Sequence, residues 1–202
     1  MFKEIIDRFK AHNCCVIIPT YNNRKTVGGV IADVFNYCTD VIIVNDGATD
    51  ETPGIVNSFA DRATIITHPV NKGKGKALRN AFKTAVELGF DYAITIDSDG
   101  QHYPENLVDF LTESETHPEA LIMGSRNMTQ ENVPGKSSFG NKFSNFWFYI
   151  ETGLKLPDTQ TGFRLYPLNS VKKKRYFTTK FEFEIEVIVK MAWKFVPFRS
   201  IP

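Results

Sequence analysis

The feature that most constrains this chain is an alternation that runs from residue 14 to residue 124. Short apolar runs, "CCVIIP" (14–19), "VIIVND" (41–46), "ATIITH" (63–68), "YAITI" (92–96) and "ALIMG" (120–124), are separated by segments with helical apolar spacing. In 24–38 the apolar positions are Val27, Val30, Ile31, Val34 and Phe35; in 75–89 Ala77, Leu78, Ala81, Phe82, Ala85 and Val86 share one face. Runs that are apolar throughout belong to strands buried on both faces, and parallel strands need helical crossovers between them. The pattern predicts an α/β fold with a mostly parallel central sheet and helices on both faces. Ligands in such sheets sit beyond the carboxyl ends of the strands. The polar clusters "PTYNN", "NDGATD", "HPVNKGKGK", "DSDGQH" and "GSRN" all fall at that edge.

The second half is less regular. Residues 137–156 are aromatic-rich with helical spacing, 156–167 read as loop followed by a short strand, 182–195 as a helix, and "VPFRSIP" resumes strand character. No internal repeat or low-complexity linker interrupts the chain, so one catalytic domain over 1–202 is expected. Because the chain stops within strand character, truncation at the C-terminus belongs to that expectation. Its 202 residues suffice for a sizeable core. A net charge of +1 creates no global field for nucleic acid, which is not an expected partner. Cys14, Cys15 and Cys38 fit no zinc spacing and read as small buried residues, which suits a reducing cytosol. No apolar run reaches transmembrane length, and "MFKEIIDRFKAH" is amphipathic, unlike a secretory signal. A cytoplasmic location is expected, with peripheral contact to the membrane left open.

The chemistry concentrates in "IDSDGQH". Alternate residues of an extended segment point the same way, so Asp97 and Asp99 are expected to face one point. Two carboxylates so close stay ionised when a cation lies between them. Oxygen ligands suit Mg2+ or Mn2+, which commonly take one or two carboxylates plus substrate phosphates. Gln101 continues the alternation as a third, neutral oxygen. The competing reading is a surface turn; the position after the fourth strand favours the metal. Lys74, Lys76 and Arg79 stand at a helix start, where free N–H groups favour anions, against the alternative of a solvated basic helix end.

Six stretches in order, "VIIPTYNN", "VIIVNDGATDET", "NKGKGKALRNAF", "TIDSDGQHYPE", "IMGSRN" and "DTQTGFRLY", resemble the family-two glycosyltransferases of the GT-A fold, in the branch of dolichyl- and polyprenyl-phosphate sugar synthases. The resemblance implies a UDP- or GDP-linked sugar donor, a divalent metal at Asp97, Asp99 and Gln101, and transfer with inversion at the anomeric carbon. It implies that Pro19 and Tyr21 lie by the base and ribose, that Asp46 accepts hydrogen bonds from them, and that Lys76, Arg79 and Ser98 also meet the donor. Arg126 and Arg164 are implied near the diphosphate or an acceptor phosphate, where the planar guanidinium fits. Asn23 replaces a family glutamate, Asn45 the first acid of a "DDG", and Lys136 an arginine. A lipid-phosphate acceptor needs no strong base, whereas a saccharide hydroxyl does. Glu184 is the candidate base, against a solvent-facing role in "EFEIEV".

Phe139, Phe143, Phe146, Trp147, Ile150 and Leu154 form one broad apolar stripe, with Phe148 and Tyr149 off it. Burial of that stripe is expected, with a membrane interface as the other reading. The basic run at 172–175 suits anionic headgroups, or a solvated helix face. Three functions follow: transfer to a polyprenyl or dolichyl phosphate, transfer to a saccharide hydroxyl in surface polysaccharide synthesis, and non-catalytic nucleotide-sugar binding. The intact acid pair favours an enzyme.

Overall fold

A computed structural model describes residues 2–125, 135–172, 176–180 and 182–202, with only the backbone course over 135–143. After helix α1 (Phe2–Ala11), the chain runs β1 (Cys14–Thr20), α2 (Val27–Val34), β2 (Val41–Asn45), α3 (Thr52–Asn57), β3 (Thr64–Thr67), α4 (Lys74–Glu87) and β4 (Tyr92–Thr95). A 3-10 turn (Pro104–Asn106) leads into α5 (Leu107–Thr116) and β5 (Leu121–Gly124). Then come α6 (Gly135–Thr152), β6 (Arg164–Pro167), α7 (Leu168–Lys172), α8 (Glu182–Ala192) and β7 (Phe198–Ile201). The strands form one sheet in the order β3-β2-β1-β4-β6-β5-β7.

The two central strands explain why the apolar runs are continuous. Every residue of β1 and β2 is buried, because helices cover both faces of the sheet. One core, with Val16, Ile18, Ile43 and Ile94, packs under α2 and α5; the other, with Ile17, Ile42, Val44 and Ala93, packs under α4 and α8. Alternate residues of each strand feed opposite cores, as the pleat requires. β3 lies at the sheet edge, and its Thr64 and Thr67 are exposed. Cys14, Cys15 and Cys38 are buried free thiols, and burial pushes the Cys38 thiol up to about 12.

The sheet is parallel except at β6, which runs antiparallel between β4 and β5, with Thr95 opposite Arg164 and Ile122 opposite Leu165. An antiparallel strand begins where its parallel neighbours end. The loop before β6 therefore arrives at the carboxyl edge: the Thr95 hydroxyl donates to the Gly162 carbonyl at 2.7 Å, and Gly124 N–H donates to the Phe163 carbonyl at 3.0 Å.

The aromatic helix α6 departs from the expected stripe. Phe148, off that stripe, is 1% exposed, while Phe146 is 57% and Ile150 56% exposed, and Trp147 and Leu154 are exposed too. The described members of the stripe face outward. Packing against α8 and Phe198 of β7 selects Phe148 instead. Phe139 and Phe143 lie outside the described side chains, as do Lys173–Arg175 of the basic run. Among the described residues, no helix is long and apolar enough to cross a membrane.

Candidate active site

The loops after β1, β2, β3 and β4 meet in a cleft of about 520 Å³. Pro19, Thr20, Tyr21 and Asn23 line it from β1, Asp46 from β2, Asn71, Gly73 and Lys74 from the β3–α4 connection, and Asp97, Ser98 and Asp99 from β4. Lys180 lines the remaining side. Eight of the residues expected from the sequence are thus brought together: Pro19, Tyr21, Asn23, Asp46, Lys74, Asp97, Ser98 and Asp99.

The backbone between the two acids is not extended. β4 ends at Thr95, residues 98–100 turn, and Gly100 has φ of 78°. This left-handed conformation suits glycine, and it ends the alternation on which the expectation for Gln101 rested. Gln101 is exposed, does not line the cleft, and donates its backbone N–H to Asp99 Oδ1 at 2.9 Å. The turn itself is pinned: Asn23 Nδ2 donates to Ser98 Oγ at 2.7 Å, and Thr26 Oγ1 donates to the Ser98 carbonyl at 2.6 Å. Asn23 thereby joins the β1 and β4 loops.

The charge at the cleft floor is held by Lys74. Its Nζ lies 2.7 Å from Asp97 Oδ1, 3.0 Å from Asp97 Oδ2 and 3.1 Å from Glu184 Oε2. Burial pulls the ammonium pKa down, and the charges of Glu184 and Asp97 more than offset this, leaving it above the ordinary lysine value. Gly162 covers the pair. A Cβ there would stand 2.2 Å from Asp97 Oδ2 and 2.8 Å from Lys74 Nζ, so the "QTGF" loop needs glycine to close over them. Of the basic cluster at the α4 start, the sequence pointed to Lys74, Lys76 and Arg79, and Lys74 is the one in the cleft. The helix turns Arg79 toward a separate cavity with Phe82, Val171 and Phe183, and Lys76 does not line the cleft.

Arg164 also departs from expectation. It is wholly buried in β6, and its guanidinium donates to the carbonyls of Glu184 and Thr159, both at 2.8 Å, and to the Tyr166 hydroxyl at 3.3 Å. It ties α8 to the loop before β6 instead of facing the cleft. Arg126 falls outside the described residues. Glu184 is 6% exposed and does not face solvent; it reaches the cleft through Lys74.

Asp46 is buried at the other end of the floor. Its Oδ1 accepts from His68 Nδ1 at 2.6 Å and from Lys72 N–H at 2.9 Å, and its Oδ2 accepts from Gly73 N–H at 2.8 Å. His68 carries no signal in the sequence, because nothing in "ITHPVN" links it to residue 46, 22 positions earlier.

A divalent cation fits this donor set only in company. Among the described residues there is no cluster of three or more His, Cys, Asp or Glu side chains. Asp97 already attracts one cation, the Lys74 ammonium, and Asp99 is exposed beside it. Two carboxylates with phosphate oxygens completing the shell are a common arrangement for Mg2+ or Mn2+.

This edge of a mostly parallel sheet, with its acid pair, belongs to a class of enzymes: the glycosyltransferases. The model of the family "Glycosyl transferase family 2" matches residues 15–174, and the chain belongs to that family. It is 30% identical over 176 residues to the UDP-N-acetylglucosamine--dolichyl-phosphate N-acetylglucosaminyltransferase of Methanococcus voltae, covering 78% of this chain and 70% of that protein. It is 28% identical over 167 residues to the polyprenol monophosphomannose synthase of Mycolicibacterium smegmatis, covering 78% and 63%. Its fold matches glucosyl-3-phosphoglycerate synthase from Mycobacterium tuberculosis in complex with UDP, with a TM-score of 0.74 and 18% identity over 99% of this chain and 73% of that one. A crystal structure of that synthase with Mn2+, UDP-glucose and phosphoglyceric acid gives a TM-score of 0.73 at 18% identity, over 99% and 73% of the two chains.

Proposed function

We propose that the cleft binds a nucleoside-diphosphate sugar and that the sugar passes, with inversion, to a polyprenyl or dolichyl phosphate. The observation that carries this reading is the Asp97–Lys74–Glu184 array. Glu184, the carboxylate suited to deprotonating a hydroxyl acceptor, is buried and bound to an ammonium. Its Oε2 is already occupied by the Lys74 ammonium, whereas a phosphate acceptor is already ionised near neutral pH and needs no base. Similarity to enzymes named for dolichyl-phosphate and polyprenol substrates supports the same acceptor.

Asp97 and Asp99 would hold Mg2+ or Mn2+, whose charge would stabilise the departing diphosphate. In the proposed reaction an acceptor phosphate oxygen attacks the anomeric carbon from the face opposite the donor. The bond from that carbon to the diphosphate oxygen breaks, and its electron pair leaves with the nucleoside diphosphate. Lys74 is placed to offset charge growing near Asp97. Gly162 and the loop that carries it exclude water from the same point. Tyr21 and Pro19 border the nucleoside end.

The acceptor's chain calls for an apolar approach, and the outward face of α6 supplies one with Phe146, Trp147 and Ile150. Asn145 on that helix donates to the Pro157 carbonyl and accepts from Thr159 N–H, both at 2.9 Å, so α6 holds the loop that closes over Asp97. Peripheral contact with a membrane surface through this face, on the cytoplasmic side, fits this arrangement. An acceptor assay tests the reading. Polyprenyl phosphate is expected to yield product from an α-linked donor with a β linkage by NMR. Transfer to free saccharides with none to lipid phosphate would contradict it.

A further inference from the structure

We propose that Lys180 is a ligand of the donor's phosphates, carried to the cleft on a strap, residues 176–180, that Glu186 holds in place. This rests on the reading of the cleft as a nucleotide-sugar site and adds to it a binding residue and the residue that positions it.

A nucleoside diphosphate brings several negative charges to a cleft that already carries three carboxylates, Asp46, Asp97 and Asp99. Like charges left without an offset repel strongly where water is partly excluded. Among the described residues, two cationic side chains line the cleft, Lys74 and Lys180. Lys74 is committed, because Asp97 and Glu184 share its ammonium. Arg164 is buried on carbonyls, and Arg79 faces the other cavity. Lys180 is exposed, and among the described residues its ammonium has no hydrogen-bond or ion-pair partner. It is the positive side chain left for a phosphate.

The strap is built against the start of α4. The Thr179 carbonyl accepts from Lys76 N–H at 2.8 Å, which takes one of the free N–H groups of the first helical turn. Two glycines make room for this approach. A Cβ on Gly73 would stand 2.9 Å from the Thr179 carbonyl oxygen and 3.1 Å from Lys180 Cγ, and a Cβ on Gly75 would stand 2.5 Å from the Lys180 carbonyl oxygen. The stem of Lys180 therefore lies across Gly73. Gly73 N–H is bound to Asp46, and the next residue, Lys74, reaches Asp97. Lys180 thus crosses between the two ends of the cleft. A diphosphate bridges that span when its nucleoside lies by Tyr21 and its sugar end by the acid pair.

The other side of the strap is fixed from α8. Glu186 accepts from Phe177 N–H and Thr178 N–H, both at 2.9 Å, and from the Thr178 hydroxyl at 2.6 Å. Lys190, one turn on, pairs with Glu186, and its Nζ lies 4.4 Å from the Phe177 ring centre. Glu186 does not line the cleft. It acts on a ligand by setting where the Lys180 side chain starts. A lysine stem gives up much rotamer freedom on binding, and a fixed strap reduces what binding must still order.

Calorimetric titration with UDP and with GDP, each with Mn2+, tests this, the tighter of the two serving as reporter. Lys180→Met keeps the bulk of the stem and removes the charge. It is expected to weaken the reporter about fivefold or more. That loss should narrow at about 0.5 M salt, because the group is exposed. Lys180→Arg, which keeps the charge, is expected to restore most of the affinity. A loss under about fivefold in Lys180→Met, or an equal loss in Lys180→Arg, overturns the proposal and leaves the nucleotide reading standing. Binding of neither nucleotide by wild type overturns that reading, and this proposal with it. Glu186→Gln is expected to weaken the reporter several-fold in wild type and no further in Lys180→Met, because both changes act through one ammonium. Equal weakening in the two backgrounds would mean a merely structural role and removes Glu186 from the account.

Discussion

On the cleft floor the polar groups are held inside the chain: three N–H donors on Asp46, one ammonium shared by Asp97 and Glu184, and a serine carbonyl capped by Thr26. On α6 the apolar groups are the ones left over. Phe148 is packed, while its neighbours Phe146 and Trp147 face outward. On the proposed reading, the two regions divide the work by the solvent each must exclude. A small charged donor needs fixed dipoles and charges set before it arrives. A long apolar acceptor needs uncovered hydrocarbon that no fixed partner occupies. The loop carrying Gly162, held by Asn145 of α6, joins the two.

The sharpest way to break this contrast uses α6 itself. Phe148→Ala is expected to destabilise the protein by about 3–5 kcal/mol in urea denaturation, because it empties a packed site. Phe146→Ala, two residues away, should change stability by less than about 0.5 kcal/mol yet lower partition onto anionic vesicles. Equal destabilisation by the two would mean that the outward face is packed in solution.

In the cleft, Lys74→Met leaves two carboxylates facing one another around an uncharged stem. A loss on the order of 2 kcal/mol is expected, less than for a fully buried pair because Lys74 and Asp97 retain some exposure. The raised Lys74 pKa gives the sign with pH. Its stabilisation is complete below the ordinary lysine pKa and is lost as pH rises through the folded value, so wild type and variant should converge in alkali.

A smaller effect belongs to Glu186, which clamps the segment before α8 by accepting from Phe177 N–H, Thr178 N–H and the Thr178 hydroxyl. Burial raises its pKa, and hydrogen bonds from Lys190 and Thr178 outweigh that, holding it at about 2. Its contribution is present above the ordinary carboxylate range and lost as pH falls toward 2. Glu186→Gln should therefore destabilise by about 1–2 kcal/mol at neutral pH and match wild type near pH 2.

The parallel strands were legible because β1 and β2 are buried on both faces, so composition and structure carry the same signal. The direction of β6 was not, since "RLYP" reads alike both ways and only the loop before it sets the sense. In α6, aromatics on nearly every side leave spacing unable to choose a face; contact with Phe198 chooses it. The acid pair was legible as a pair, but its geometry depends on a turn at Gly100 that breaks the alternation. Arg164 was expected at an anion; only tertiary packing shows two of its donors taken by the carbonyls of Glu184 and Thr159. Lys74 was visible within its basic cluster, and the helix start, which sets the direction of each side chain, singled it out.

The central claim is that Asp97 and Asp99 grip a divalent cation together with the donor's diphosphate. Calorimetric titration of UDP into wild type and Asp97→Asn, with and without Mn2+, tests it most directly. The account predicts binding by wild type that tightens about tenfold or more with Mn2+, and no such gain in Asp97→Asn. Equal affinity with and without the metal in wild type, or an undiminished gain in the variant, would contradict it.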